Sequence, residues 1–257
     1  MIKKFALFVL GSLISSGAGL GAVVLFPASV TPSGATVIVP QTAIERSPAL
    51  DYVDIIHYKK DFARPSGPSK GGPSCYGFIS KGAKLKAIED IYVNGVNSGM
   101  QDSDVLNGTV TSANTWDSET AANIFNSYVP DSDANFDDGA SPDGRNEVSF
   151  GSYPQEGVIA VTRIWGIFYG PPSGRYIDQF DILFNTAYSW GDAADNAGLM
   201  DFQNIATHEL GHGVGLADIY DSGCGTVTMY GYSNYGETQK RTLELPDIKG
   251  LETLYGT

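Results

Sequence analysis

The sequence predicts an α+β fold on three observations. Runs rich in Val, Ile, Phe and Tyr recur between residues 85 and 185, bounded by glycine or proline, as strands are. The stretch THELGHGVGLAD, Thr207 to Asp218, places two histidines at helical spacing. The chain then closes on LPDIKGLETLYG, Leu245 to Gly256, in which Ile248, Leu251, Leu254 and Tyr255 make the apolar face of a short helix. Pro246 and Asp247 mark its entry and Gly256 its end.

The amino terminus comes first in chain order. Lys3 and Lys4 precede an uncharged run of 22 residues, Phe5 to Phe26, which reads as an export signal with a basic start and an apolar core. The run is also long enough to stay as a membrane anchor. Either way, residues 1–30 are expected to direct the rest of the chain out of the cytoplasm, as a secreted or outward-facing protein.

Residues 31–74 are rich in proline, glycine and serine and read as a linker or short pro-region. Within them DYVDIIHY, Asp51 to Tyr58, has the β-branched and aromatic content of one short strand, carrying His57 as a surface or packing residue. The catalytic domain is expected over residues 75–257.

The formal charge is −13, and becomes −15 without the first 30 residues. Such a surface repels nucleic acid and anionic lipid, so a nucleic-acid partner is excluded and membrane contact is left to the amino terminus alone. A monomer is expected. Cys75 and Cys224 are the two cysteines, and an even count in an exported chain makes a disulfide the default.

Leu85 to Val93 is the first expected strand of the domain. Leu106, Val110, Ala113 and Trp116 then form the apolar stripe of a helix capped by Asp102 or Ser103 and lying on a sheet. The segment from Asp131 to Glu147 holds five aspartates and a glutamate. Alternating oxygen ligands at Asp131, Asp133 and Asn135 suggest Ca²⁺, with a solvated acidic loop as the alternative. Strands are expected at Asn146 to Gly151, Gly157 to Trp165 and Tyr176 to Asn185. The last of these alternates polar and apolar residues and is the candidate sheet edge for pairing with an extended peptide.

The chemistry concentrates in THELGHGVGLAD. His208 and His212 are four residues apart and share one helical face, the separation at which two imidazoles bind a single tetrahedral Zn²⁺. Glu209 stands beside the first ligand as the general base for a water. Gly215, free to take φ > 0, lets the chain leave the helix and return, so that Asp218 becomes the third ligand. Two polar imidazoles beside a glutamate would be a costly way to fill a core that held no metal.

The pattern HExxHxxGxxD resembles the extended zinc signature of the metzincin metallopeptidases, in its snapalysin-type variant with Asp as third ligand. Met229-Tyr230, eleven residues after Asp218, resembles the matrixin version of the methionine turn beneath the metal, with Gly231 where a proline is common. The ending DIKGLETLYG, the helix ANTWDSETAANIF and the segment FDILFNTAYSWGD are also similar to matrixin catalytic domains, so the resemblance spans Leu85 to Gly256. It implies a twisted mixed sheet of about five strands with a backing helix, an active-site helix and a C-terminal helix. It also implies a zinc endopeptidase acting on protein or peptide.

In matrixins a pro-region cysteine can block the metal. Cys75, in GGPSCYGF, lacks the surroundings of that cysteine but remains the alternative to the disulfide. Two functional alternatives stand beside the peptidase: a surface binding protein on a non-cutting metzincin scaffold, and a zinc hydrolase of non-protein amides.

Overall fold

The computed structural model describes residues 50–62, 74–136 and 141–257. The expected signal or anchor, residues 1–30, lies outside them, as do residues 31–49 and 63–73 of the expected linker. Among the described residues no helix is long and apolar enough to cross a membrane.

The compact unit runs from Ser47 to Thr257, so it starts well upstream of the boundary expected at residue 75. Its elements are β1 (Asp51–Lys59), β2 (Glu89–Val93), α1 (Asp102–Asp117), β3 (Phe125–Pro130), β4 (Asn146–Gly151), β5 (Val158–Ile167) and β6 (Tyr176–Asn185). They continue with β7 (Trp190–Gly191), β8 (Met200–Asp201), α2 (Phe202–Gly213), β9 (Tyr232–Ser233) and α3 (Leu245–Tyr255).

Seven strands form one mixed sheet in the order β3-β2-β4-β6-β5-β1-β9. β2, β3, β4 and β6 run parallel, and β5 is antiparallel to β6. These are the five strands of the expected matrixin-like sheet. Two more extend it past β5: β1 pairs antiparallel with β5 along Asp51–Tyr58, and its far end runs parallel to β9.

That order corrects one expectation. β6 lies between β4 and β5 and its central residues are buried, so it is no peptide-binding edge. Its polar residues are tied up inside: Asp181 faces Arg163 across the pair with β5, and the Asn185 side chain donates to the Val158 carbonyl at 2.7 Å. Alternation of polar and apolar residues reads as an exposed face only where water, and no second layer, covers the polar side.

α1 begins after Gln101, which supplies no side-chain cap, and buries Val105, Thr109, Ser112, Ala113 and Trp116. The face is therefore rotated from the predicted stripe, because α1 packs chiefly on α2. Small polar residues serve that contact: Ser112 accepts a hydrogen bond from Thr207 at 3.1 Å, and the Trp116 indole donates to the Thr207 carbonyl at 2.8 Å.

Between helices and sheet, Phe150, Phe184, Trp190 and Phe202 pack ring against ring. Cys75 and Cys224 form a disulfide with Cα atoms 5.4 Å apart, which sets aside the free blocking thiol.

Candidate metal centre

α2 carries the site because its amino terminus is held on both sides. Asp201 caps it, accepting from the Asn204 amide at 2.8 Å, and the same carboxylate binds the Arg241 guanidinium and the Ala193 amide. One turn later His208 and His212 project together, their Nε2 atoms 3.1 Å apart.

After α2 the chain turns at Gly215, whose φ of +108° is open to glycine, and an added Cβ would lie 2.3 Å from the Ala83 carbonyl oxygen. The return brings Asp218 back to the helix, with Oδ1 3.2 Å from His208 Nε2 and 3.5 Å from His212 Nε2. Tyr220 donates to its other oxygen at 2.7 Å.

The donor set fits a metal on two grounds. Each imidazole commits Nδ1 to a backbone carbonyl, His208 to Thr228 at 2.7 Å and His212 to Leu216 at 2.8 Å. Carbonyls accept only, so both Nδ1 atoms carry the proton, and both Nε2 atoms present lone pairs to one another and to Asp218. Asp218 Oδ1 is buried and finds no hydrogen-bond donor. Three lone pairs facing inward in a buried place repel unless a cation joins them. A tetrahedral Zn²⁺ about 2.0–2.1 Å from each ligand needs ligand atoms about 3.3 Å apart, which the three separations bracket.

Electrostatics agree with that donor state for His208 and Asp218; for His212, burial works against protonation, but the adjacent Asp218 and Glu209 outweigh it and raise its pKa. Burial lowers His208 to about 4, keeping it neutral. Burial works against ionisation of Asp218, but the adjacent His212 and His208 outweigh it and hold the carboxyl well below its ordinary range.

The floor of the site is the turn at Met229, which is fully buried. The Ile219 amide donates to the Met229 carbonyl at 2.8 Å and the Gly231 amide to the Ile219 carbonyl at 3.0 Å, so the turn fixes the strand leaving Asp218. Asp247 at the start of α3 holds the turn from below, accepting from the Thr228 and Met229 amides at 2.9 and 3.1 Å. Met229 in turn touches Gly211: a Cβ there would fall 2.3 Å from the methionine sulfur.

Glu209 is fully buried, and burial raises its carboxyl to about 7. Thr162 of β5 donates to one of its oxygens at 2.6 Å. The other meets His57 Nδ1 at 3.0 Å.

Of the two sequence readings of His57, surface or packing, the structure has the second: it is fully buried, 4.0 Å from the His208 ring between centroids. Its Nε2 lies 3.0 Å from Ser233 Oγ, and that hydroxyl accepts from the buried ammonium of Lys240 at 3.0 Å. A hydroxyl that accepts from Lys240 turns its own proton to His57 Nε2, which leaves the proton on Nδ1 to be donated to Glu209. Burial and the neighbouring His208 keep His57 neutral.

Two sets of side chains among the described residues could hold an ion, His208–His212–Asp218 and His57–His208–Glu209. In the second, both Glu209 oxygens already accept hydrogen bonds, so the first is the better ligand set.

The candidate calcium ligands behave differently. Asp131 binds the Arg145 guanidinium and accepts from the Asp133 amide at 2.9 Å, while the Asn135 amide group turns to the Asp133 carbonyl. A guanidinium stands beside Asp131, where a cation was expected.

Residues 169–256 match the family model described as Matrixin. Over that stretch the chain is similar to matrixins. The match takes in α2, Asp218, the Met229 turn and α3, and what it supports in general is a zinc metallopeptidase. No curated protein matches the chain.

Sequence reasoning missed Thr162, His57, Ser233, Lys240 and the role of Asp247 in this matrixin-like site. Two of them left a trace. Thr162 is a polar residue inside the apolar run GVIAVT, and His57 is one of only three histidines in the chain.

Proposed function

We propose that this chain is an exported zinc endopeptidase that cuts peptide bonds with an activated water. The observation that carries the reading is the trio His208 Nε2, His212 Nε2 and Asp218 Oδ1, mutually 3.1–3.5 Å apart, with both Nδ1 protons engaged elsewhere.

His208, His212 and Asp218 would hold the ion, and zinc would supply Lewis acidity that lowers the pKa of a water and polarises the scissile carbonyl. Glu209 takes the proton from that water and later delivers it to the leaving amine. Burial, by raising its carboxyl to about 7, matches it to both halves of that task at neutral pH. Thr162 holds the carboxylate by one oxygen so that the other can do the transfer. Tyr220 steadies Asp218. The apolar amino-terminal run and the two paired cysteines support export.

The test has a metal arm and an activity arm. Elemental analysis of the purified protein is expected to give one zinc per chain, lost in Asp218→Ala and kept in Glu209→Ala. Casein hydrolysis, assayed on the protein as isolated and after nicking upstream of Cys75, is expected to vanish with a chelator and in Glu209→Ala. Absence of stoichiometric metal refutes the centre. Hydrolysis of cell-wall fragments without casein cleavage refutes the peptidase.

A further inference from the structure

Both imidazoles and the general base of the catalytic centre are buried while β1 is in place, and Asp218 alone is partly exposed. His208, Glu209 and His212 are each 0 % exposed, and β1, between β5 on one side and β9 on the other, sets His57 against Glu209 and the His208 ring. An endopeptidase needs an extended segment of its substrate beside the scissile bond, so a buried base between two buried imidazoles implies a cover. We propose that β1 is a displaceable strand lying in the peptide-binding slot between β5 and β9, and that it keeps the centre latent by tying His57 to Glu209. This inference rests on the peptidase reading.

Three observations carry it. First, the hydrogen bonding is that of a bound peptide. β1 pairs residue for residue with β5 from Asp51 opposite Gly166 to Ile56 opposite Val161, then meets β9 through Tyr58 and Lys59. Without β1, the outer edge of β5 presents unpaired amides and carbonyls, the template to which extended peptides add.

Second, β1 is joined to the fold as a guest is. Asp51, Tyr52, Val53 and Asp54 are exposed and none of its apolar side chains is fully buried, whereas all ten residues of β5 are. Its one fully buried residue is His57, a polar ring that packs on His208 and whose two hydrogen bonds go to Glu209 and to Ser233 of β9. Its other ties include the packing of half-buried Ile55 on the core, a hydrogen bond from Gln155 to the Tyr58 hydroxyl, and ion pairs at the rim, Asp54 with Arg163 and, just past the strand, Lys60 with Glu237. The disulfide fastens the chain to the body only at Cys75, downstream of β1, so a single break between them leaves β1 held without a covalent bond.

Third, the contact falls on the atom that must be free. Thr162 takes one oxygen of Glu209 and His57 the other, so the base has no unengaged oxygen until β1 leaves.

The experiment keeps the whole chain. A site-specific protease sequence is inserted between residues 62 and 74, the protein is folded full-length and loaded with zinc, and then cut. The upstream fragment is expected to separate on size exclusion, and casein hydrolysis to rise by about tenfold or more, as follows if the open form is under about a tenth of uncut molecules. A synthetic peptide of residues 50–62 is expected to bind and suppress that activity, and the same peptide with His57→Ala to do neither.

Amide hydrogen exchange on the uncut chain gives a measurement independent of how the cut protein behaves. Residues 51–59 are expected to exchange well before 158–167 and 176–185. Co-elution of the fragment with unchanged or reduced hydrolysis, or equal protection of β1 and β6, would overturn the proposal by making β1 a permanent strand. Release with His57-dependent rebinding but no hydrolysis of casein would uphold the slot and its occupant while sinking the peptidase reading.

Discussion

Gly211, inside the HELGH turn of α2, is where the metal centre and its floor come closest, and alanine there should do the opposite of what helix propensity says. In a free helix, Gly→Ala gains up to about 1 kcal/mol. Here the new Cβ would lie 2.3 Å from Met229 Sδ and 2.7 Å from Trp116 Cζ2. Ordinary contact is about 3.5–4.0 Å, so the new Cβ must part by about 1.2–1.7 Å from Met229 and about 0.8–1.3 Å from Trp116. Met229 and Trp116 are both fully buried and have no free volume to retreat into. Overpacking of that kind costs about 1–3 kcal/mol, leaving a net loss of up to about 2 kcal/mol after the propensity gain.

Met229→Ala removes the nearer obstacle at its own cost of about 2–5 kcal/mol. The double variant should then lose less than the two single losses together, by about 1–3 kcal/mol. Urea midpoints of the metal-free proteins, compared at constant slope, measure the cycle. Losses that add to within about 0.5 kcal/mol, or a Gly211→Ala protein more stable than wild type, would show that Met229 does not press on α2 as described.

Two further outcomes are expected of metal-free protein. Replacing both Cys75 and Cys224 by serine opens a closure spanning a sequence separation of 149 and should cost about 2–5 kcal/mol; an unchanged urea midpoint would contradict the role given to the bond. Lys240, lowered to about 7 by burial, binds its proton more weakly folded than unfolded, so its contribution to stability should rise with pH from about 7 upward. Between pH 7 and 9 the stability of wild type relative to Lys240→Met should improve by at most about 1.4 kcal/mol per pH unit, and a flat difference would refute the weakened proton binding of the buried Lys240.

The stretch that builds the candidate metal centre was legible because its information is local. A helix fixes the spacing of His208 and His212, and one glycine fixes the return to Asp218, so neighbouring residues alone determine how the three side chains meet. The strands at 146–151 and 176–185 were legible for the same reason, since composition and boundaries sit within each segment.

What stayed hidden depends on order in the sheet. β6 carries the polar alternation of an edge, yet β4 and β5 flank it, and the pairing that decides this lies far away in sequence. His57 reaches Glu209 across 152 residues through the pairing of β1 with β5, and no periodicity within DYVDIIHY announces such a partner. The acidic loop misled in the other sense: Asp131 is answered by Arg145 inside the same segment, a local cation that a count of carboxylates overlooks.

The chain has three histidines, and all three rings meet in one buried cluster. Protein labelled with ¹⁵N only at histidine would thus give a spectrum in which every resonance reports on the reaction centre, with no background from the remaining residues. Metal loading and departure of the amino-terminal strand would move different members of that small set, so the two events could be followed separately in one sample.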